Sequence, residues 1–140
     1  MEVDSMCKRM TVKCPYCHSL AVKRPASFVY GEKNRDPEAY VYVCSRYPFC
    51  DAYVAAHKKT GLPMGTLANG ELRHKRILAH RAFNRLWQEG YMGKPAAYRW
   101  LQVQLGLPES MAHIAMFSGY LCGRVVELCG TFLQGAARAA

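Results

Sequence analysis

The period of the apolar positions changes partway along the chain. Before residue 60 the apolar residues come in short runs. Residues 39–43 read Ala-Tyr-Val-Tyr-Val, a strand signal leading into Cys44. Leu20–Arg24 and Phe28–Tyr30 read as short strands broken at Pro25, and Asp51–Ala56 reads as a strand closing the sheet. GEKNRDPE between them is a polar loop. Beyond residue 60, after the Gly-rich segment HKKTGLPMGTLANG, the spacing becomes helical. A first helix is predicted from Glu71, capped by Asn69, to Glu89, stopping at Gly90. Its apolar face carries Leu72, Leu78, Ala79, Ala82, Phe83, Leu86 and Trp87. A second starts at Pro95 and ends at Gly106. A short third runs from Pro108 to Phe117, and a fourth from Tyr120 to Leu133, with apolar positions that include Cys122, Val125, Val126 and Cys129.

This pattern predicts an α+β protein. A loose arm over 1–10 holds an unpaired Cys7. A small antiparallel sheet fills 11–60, a bundle of three to four short helices fills 61–135, and a frayed tail ends the chain over 136–140. Trp87, Trp100 and Phe83 are the expected helical core.

Composition adds a partner class. The chain has 140 residues, about half of them apolar, which is a globular composition. No apolar run approaches the roughly 18 residues a membrane span needs, and the start MEVDSMCKRM carries no apolar signal segment. A cytoplasmic setting is therefore expected, with no membrane partner and no small-molecule substrate. The formal charge is +9. Such a balance favours a polyanionic partner, although it also serves solubility.

The chemistry concentrates in four cysteines. Cys14 and Cys17 stand in CPYC, and Cys44 and Cys50 in CSRYPFC, with 26 residues between the pairs. Two short loops, each supplying two thiolates, are what a tetrahedral zinc ion requires. The metal would then act as a core for a segment too small to build one. Four thiolates on one Zn²⁺ contribute a charge of about −2, which leaves the metallated chain nearer about +7. A pair of disulfides and a redox CxxC compete with zinc, but no export signal and no βαβ unit is readable.

Cys14, Pro15 and Cys17, with Cys44, Ser45, Tyr47, Pro48 and Cys50, resemble the zinc ribbons at the C-terminal end of bacterial type I topoisomerases. That resemblance covers about the first 55 residues and implies single-stranded DNA binding without base specificity. His18 departs from it, since the pattern has Gly there, where a left-handed turn follows the knuckle. The ribbon together with GLPMGTLANGELRHKRILAHRAFNRLW and AYRWLQVQLGLPESMAHIAMF resembles the zinc-finger-containing domain of phage and prophage proteins. That family carries no assigned biochemical function.

Exposed rings and cations are what single-stranded nucleic acid binds, through stacking and phosphate contacts. Candidate contacts are Arg46 and Tyr47 on the second knuckle, Tyr40 and Tyr42 on one face of their strand, and Lys23 and Arg24. Packing on the thin sheet competes for the rings, while Tyr47 and Arg46, between the ligands on a tight knuckle, are expected to be exposed. Arg73, Lys75, Arg76, Arg81 and Arg85 place five cations within 13 residues on the back of the first helix. That face can follow phosphates, meet an acidic protein surface, or simply be solvated. His80, His113, Cys122 and Cys129 are too widely spaced to specify a second site. No nucleophile triad, phosphate loop or carboxylate pair is present, so an enzyme is not expected. The expected function is zinc-stabilised nucleic-acid binding, single-stranded DNA favoured. The alternative is a phage-encoded, anti-CRISPR-like inhibitor or adaptor that binds a host protein such as a defence nuclease.

Overall fold

Tyr40–Cys44 is apolar on both faces, and this places it at the centre of the sheet. The computed structural model describes residues 12–34 and 36–139. The expected arm over 1–10, with Cys7, lies outside them. The described chain divides into two compact units, one ending at Gly70 and the other beginning at Glu71.

In the first unit, β1 (Ala21–Pro25), β2 (Tyr40–Cys44) and β3 (Tyr53–Ala55) form an antiparallel sheet in the order β1-β2-β3. The register pairs Val22 with Val43, Lys23 with Tyr42 and Arg24 with Val41, while Tyr42 pairs with Val54. Paired residues share a face, so neighbouring residues divide between two faces. One face carries Tyr42, Cys44 and Val54, which pack with Cys14, Ala52, Ala56 and Leu67. The other carries Val41 and Val43 beneath Ala26, Val29, Tyr47 and Tyr53.

Phe28–Tyr30 is not a strand. Ser27–Tyr30 forms a single helical turn, α1, followed by a 3₁₀ turn at Gly31–Lys33. The reason is pairing. β2 starts at Tyr40 opposite Pro25, so a strand at 28–30 would have no partner. Instead Ala26 donates to the Ala39 carbonyl, and Val29 and Tyr30 donate to Ala26. The turn lays the rings of residues 28 and 30 over the second face.

Residues 61–70 return to the sheet instead of joining the helices. Ala56 bridges to Pro63 and Tyr53 to Ala68. Leu67 is fully buried, and the Gly70 N–H donates to the Asp51 carboxylate at 3.1 Å.

The second unit holds α2 (Gly70–Gln88, its first residue at the boundary), α3 (Lys94–Leu105) and α4 (Gly119–Ala139). α3 ends as its sequence predicts, with Gly106 in the left-handed region donating to Gln102 and Val103. The buried set is Ala79, Phe83 and Leu86 of α2, Ala97 and Leu101 of α3, and Cys122, Val125, Cys129 and Leu133 of α4. Phe83 is central, with its ring 4.9 Å from that of Tyr98. Trp87 and Trp100 pack at the edge of this core, partly exposed.

Two expectations change here. The short helix at 108–117 is a pair of 3₁₀ turns, Glu109–Met111 and Ile114–Met116, separated by an extended His113. Ile114 and Phe117 both have to reach the core, and three residues per turn aligns them. The tail read as frayed is helical, since α4 continues to Ala139. Among the described residues, no helix is long and apolar enough to cross a membrane.

Candidate metal centre

Two hairpin-like knuckles bring the four cysteines together. In the first, Cys14 donates to the Ser19 carbonyl at 2.8 Å and His18 donates to Cys14 at 2.9 Å. This folds CPYC into a tight turn. The residue that follows it, His18, adopts a φ of +64°, the left-handed conformation expected where the ribbon pattern has Gly. In the second knuckle, Cys44 leaves the end of β2 bonded to Ala52, while Tyr47 donates to Cys44 and Cys50 donates to Arg46. The Ser45 N–H reaches the Leu20 carbonyl at 3.0 Å and ties one knuckle to the other.

The sulfurs of Cys14 and Cys50 stand 3.4 Å apart, as do those of Cys17 and Cys44. All four lie within 4.8 Å of one another. Zinc–sulfur bonds of about 2.3 Å in a tetrahedron put sulfurs roughly 3.8 Å apart, so the donor set fits. A disulfide needs sulfurs at about 2.05 Å, which none of these pairs approaches. The Arg46 N–H points to the Cys44 sulfur at 3.5 Å, a contact that supports a thiolate.

Local fields divide the thiols. Hydrogen bonds from the Ser19 side chain and N–H draw Cys17 down to about 6. Burial pushes Cys44 up to about 12 and raises Cys50. A divalent cation at the centre reverses the second effect, because a coordinating thiol is deprotonated outright. Cys14 and Cys44 are buried and the other two half-buried, so the centre is closed around one structural metal.

A family model described as a zinc-finger-containing domain matches residues 10–131. The chain belongs to that family. No curated protein and no solved structure matches it. Membership in the zinc-finger-containing family agrees with the sulfur geometry, which brings Cys14, Cys17, Cys44 and Cys50 together to hold one structural zinc.

The candidate contacts separate on inspection. Tyr42 is 9 % exposed and its hydroxyl donates to the Gly61 carbonyl, so it cannot present its ring. It shares its face with Tyr40 as the strand period requires, but that face looks toward the sulfurs and Leu67. Tyr40 is 40 % exposed, with the Lys23 ammonium 5.3 Å from its centroid. Tyr47 is half-buried against Val43 and Tyr53. Arg46 and Arg24 are exposed.

The helix face is less uniform than its charges suggest. Arg76 is buried, and its Nε donates to the Phe117 carbonyl at 3.1 Å, which removes it from the cationic face. Arg85 is paired with Glu89 at 2.6 Å. Arg73 is half-buried, and Arg81 is exposed. No second metal cluster forms among the described residues. Cys122 and Cys129 are buried in the helical core while His80 and His113 are exposed.

One residue was not among the expected contacts. Phe49, on the second knuckle, is 94 % exposed. Its position in the second knuckle, between Pro48 and the ligand Cys50, was the available signal.

Proposed function

We propose that this protein is a non-enzymatic, zinc-stabilised nucleic-acid-binding protein that prefers single-stranded DNA. We place it in the cytoplasm of a bacterial host and ascribe its origin to a phage or prophage. The observation that carries this reading is the second knuckle, where Arg46 and a nearly fully exposed Phe49 stand between two metal ligands. A rigid loop that offers a ring and a guanidinium is suited to stacking a base and meeting its phosphate. The charge of +9 supports the same class of partner. So does the likeness of the knuckles to topoisomerase ribbons. Four thiolates fill the coordination sphere and leave no position for a reactive water, which argues for a structural rather than a catalytic metal.

The test is titration of a labelled single-stranded oligonucleotide at two salt concentrations. Affinity should fall steeply as salt rises, since each phosphate contact releases counterions. Absent binding at low salt, or binding indifferent to salt, overturns the reading. The bare ring of Phe49 also favours a second reading, an inhibitor or adaptor for a host protein, because exposed aromatics anchor protein interfaces. Capture from nuclease-treated bacterial lysate separates the two. A stoichiometric protein that survives nuclease supports the second.

A further inference from the structure

The two faces of the sheet in the first unit differ in what they offer. The face of Tyr42 and Cys44 is filled by the metal centre, Ala52, Ala56 and Leu67. The opposite face ends in a row of rings. Phe28 lies 5.6 Å from Tyr47, Tyr47 lies 6.5 Å from Tyr53, and Tyr53 lies 5.8 Å from Tyr30. The inner two rings cover Val41 and Val43 and are half-buried. The outer two are each 48 % exposed although each touches an inner ring.

Charge follows the row. The Arg24 guanidinium sits 5.1 Å from the Phe28 centroid, Arg46 precedes Tyr47, and Lys33 follows Tyr30 in the next turn, with Glu32 as the adjacent counter-charge. The exposed Arg24 and Arg46, beside Phe28 in space and Tyr47 in sequence, suit a polyanion.

Resting on the nucleic-acid reading above, we propose that single-stranded nucleic acid crosses this ring face, stacking on Phe28 and Tyr30, and not the face that carries Tyr40 and Tyr42. Tyr47 and Tyr53 brace the platform from beneath. Arg24, stacked on Phe28, supplies a phosphate contact at its edge.

The test uses the full chain and a labelled oligothymidylate of about 15 nucleotides, long enough for a small single-strand site. Phe28→Leu and Tyr30→Leu keep apolar cover but remove the ring, and zinc content and melting temperature confirm that each variant folds. Each should weaken binding roughly 5- to 150-fold, while Tyr40→Leu stays within about 2-fold of wild type. Arg24→Gln, at an exposed position, reads the phosphate contact while leaving both rings in the chain. It should lower affinity and reduce the salt slope by about one. If Phe28→Leu, Tyr30→Leu and Arg24→Gln bind like wild type, whatever Tyr40→Leu does, the face assignment falls and the nucleic-acid reading stands. If wild type does not bind at low salt, both fall together.

Discussion

Arg76 and the backbone of Phe117 are joined by a buried hydrogen bond of 3.1 Å from Nε to the carbonyl oxygen. The bond holds the end of the 3₁₀ segment against α2. Arg76→Met should therefore cost stability, by about 2 kcal/mol, because a buried carbonyl loses its charged donor. Urea unfolding of this variant, compared with Arg81→Gln, checks it. Arg81 is exposed, and its replacement should leave the unfolding midpoint in place. Equal effects of the two would refute the distinction between a structural and a surface arginine.

The sulfur cluster predicts stoichiometry and a local consequence. Metal analysis should return about one zinc per chain. Cys44→Ser, or a strong chelator, should unfold the sheet-bearing unit while the helical signal of the other unit persists, because metal binding and folding of the first unit are one event. Far-ultraviolet circular dichroism and hydrogen exchange read both parts. Full retention of sheet protection without metal would contradict it.

Cys129 gives a dependence on pH. Its ordinary value is 9.0, and burial pushes it up to about 11. Between these values the unfolded chain has released a proton that the folded chain keeps. Its contribution to stability is whole below about pH 9 and is lost as pH rises toward about 11. Wild type should thus lose roughly 1–3 kcal/mol more than Cys129→Val across that window. Denaturant unfolding at several alkaline pH values measures the difference. Parallel curves would show that the thiol is not held neutral.

His18 sits at φ +64°, where a β-branched residue fits poorly. His18→Val should destabilise the first knuckle by about 1–2 kcal/mol, while His18→Gly should not. Competition with a colorimetric zinc chelator ranks the three proteins. Tighter zinc retention by the Val variant than by the Gly variant would contradict the backbone assignment.

The metal ligands were legible in the sequence because their chemistry is local. Two residues between Cys14 and Cys17, and five between Cys44 and Cys50, already shape the knuckles. The helix ends were legible for a similar reason, as Gly106 shows. What the sequence hid depends on distant partners. Phe28–Tyr30 has the composition of a strand, but a strand needs a neighbour and none is there among the described residues. Tyr40 and Tyr42 do share a side, yet only the fold reveals that Leu67 and the sulfurs occupy it. Arg76 reads as one more surface cation until Phe117 arrives from 41 residues away.

Val43 and Cys44 are neighbours on β2 that look in opposite directions, one under the row of aromatic rings and the other toward the ion. A single strand therefore serves both purposes, and damage to either side travels through its backbone to the other. On the proposed reading, a screen for weakened nucleic-acid binding should return Val43 and the cysteines beside the outward-facing rings, and oxidation of the thiols should abolish that binding without touching a single contact residue.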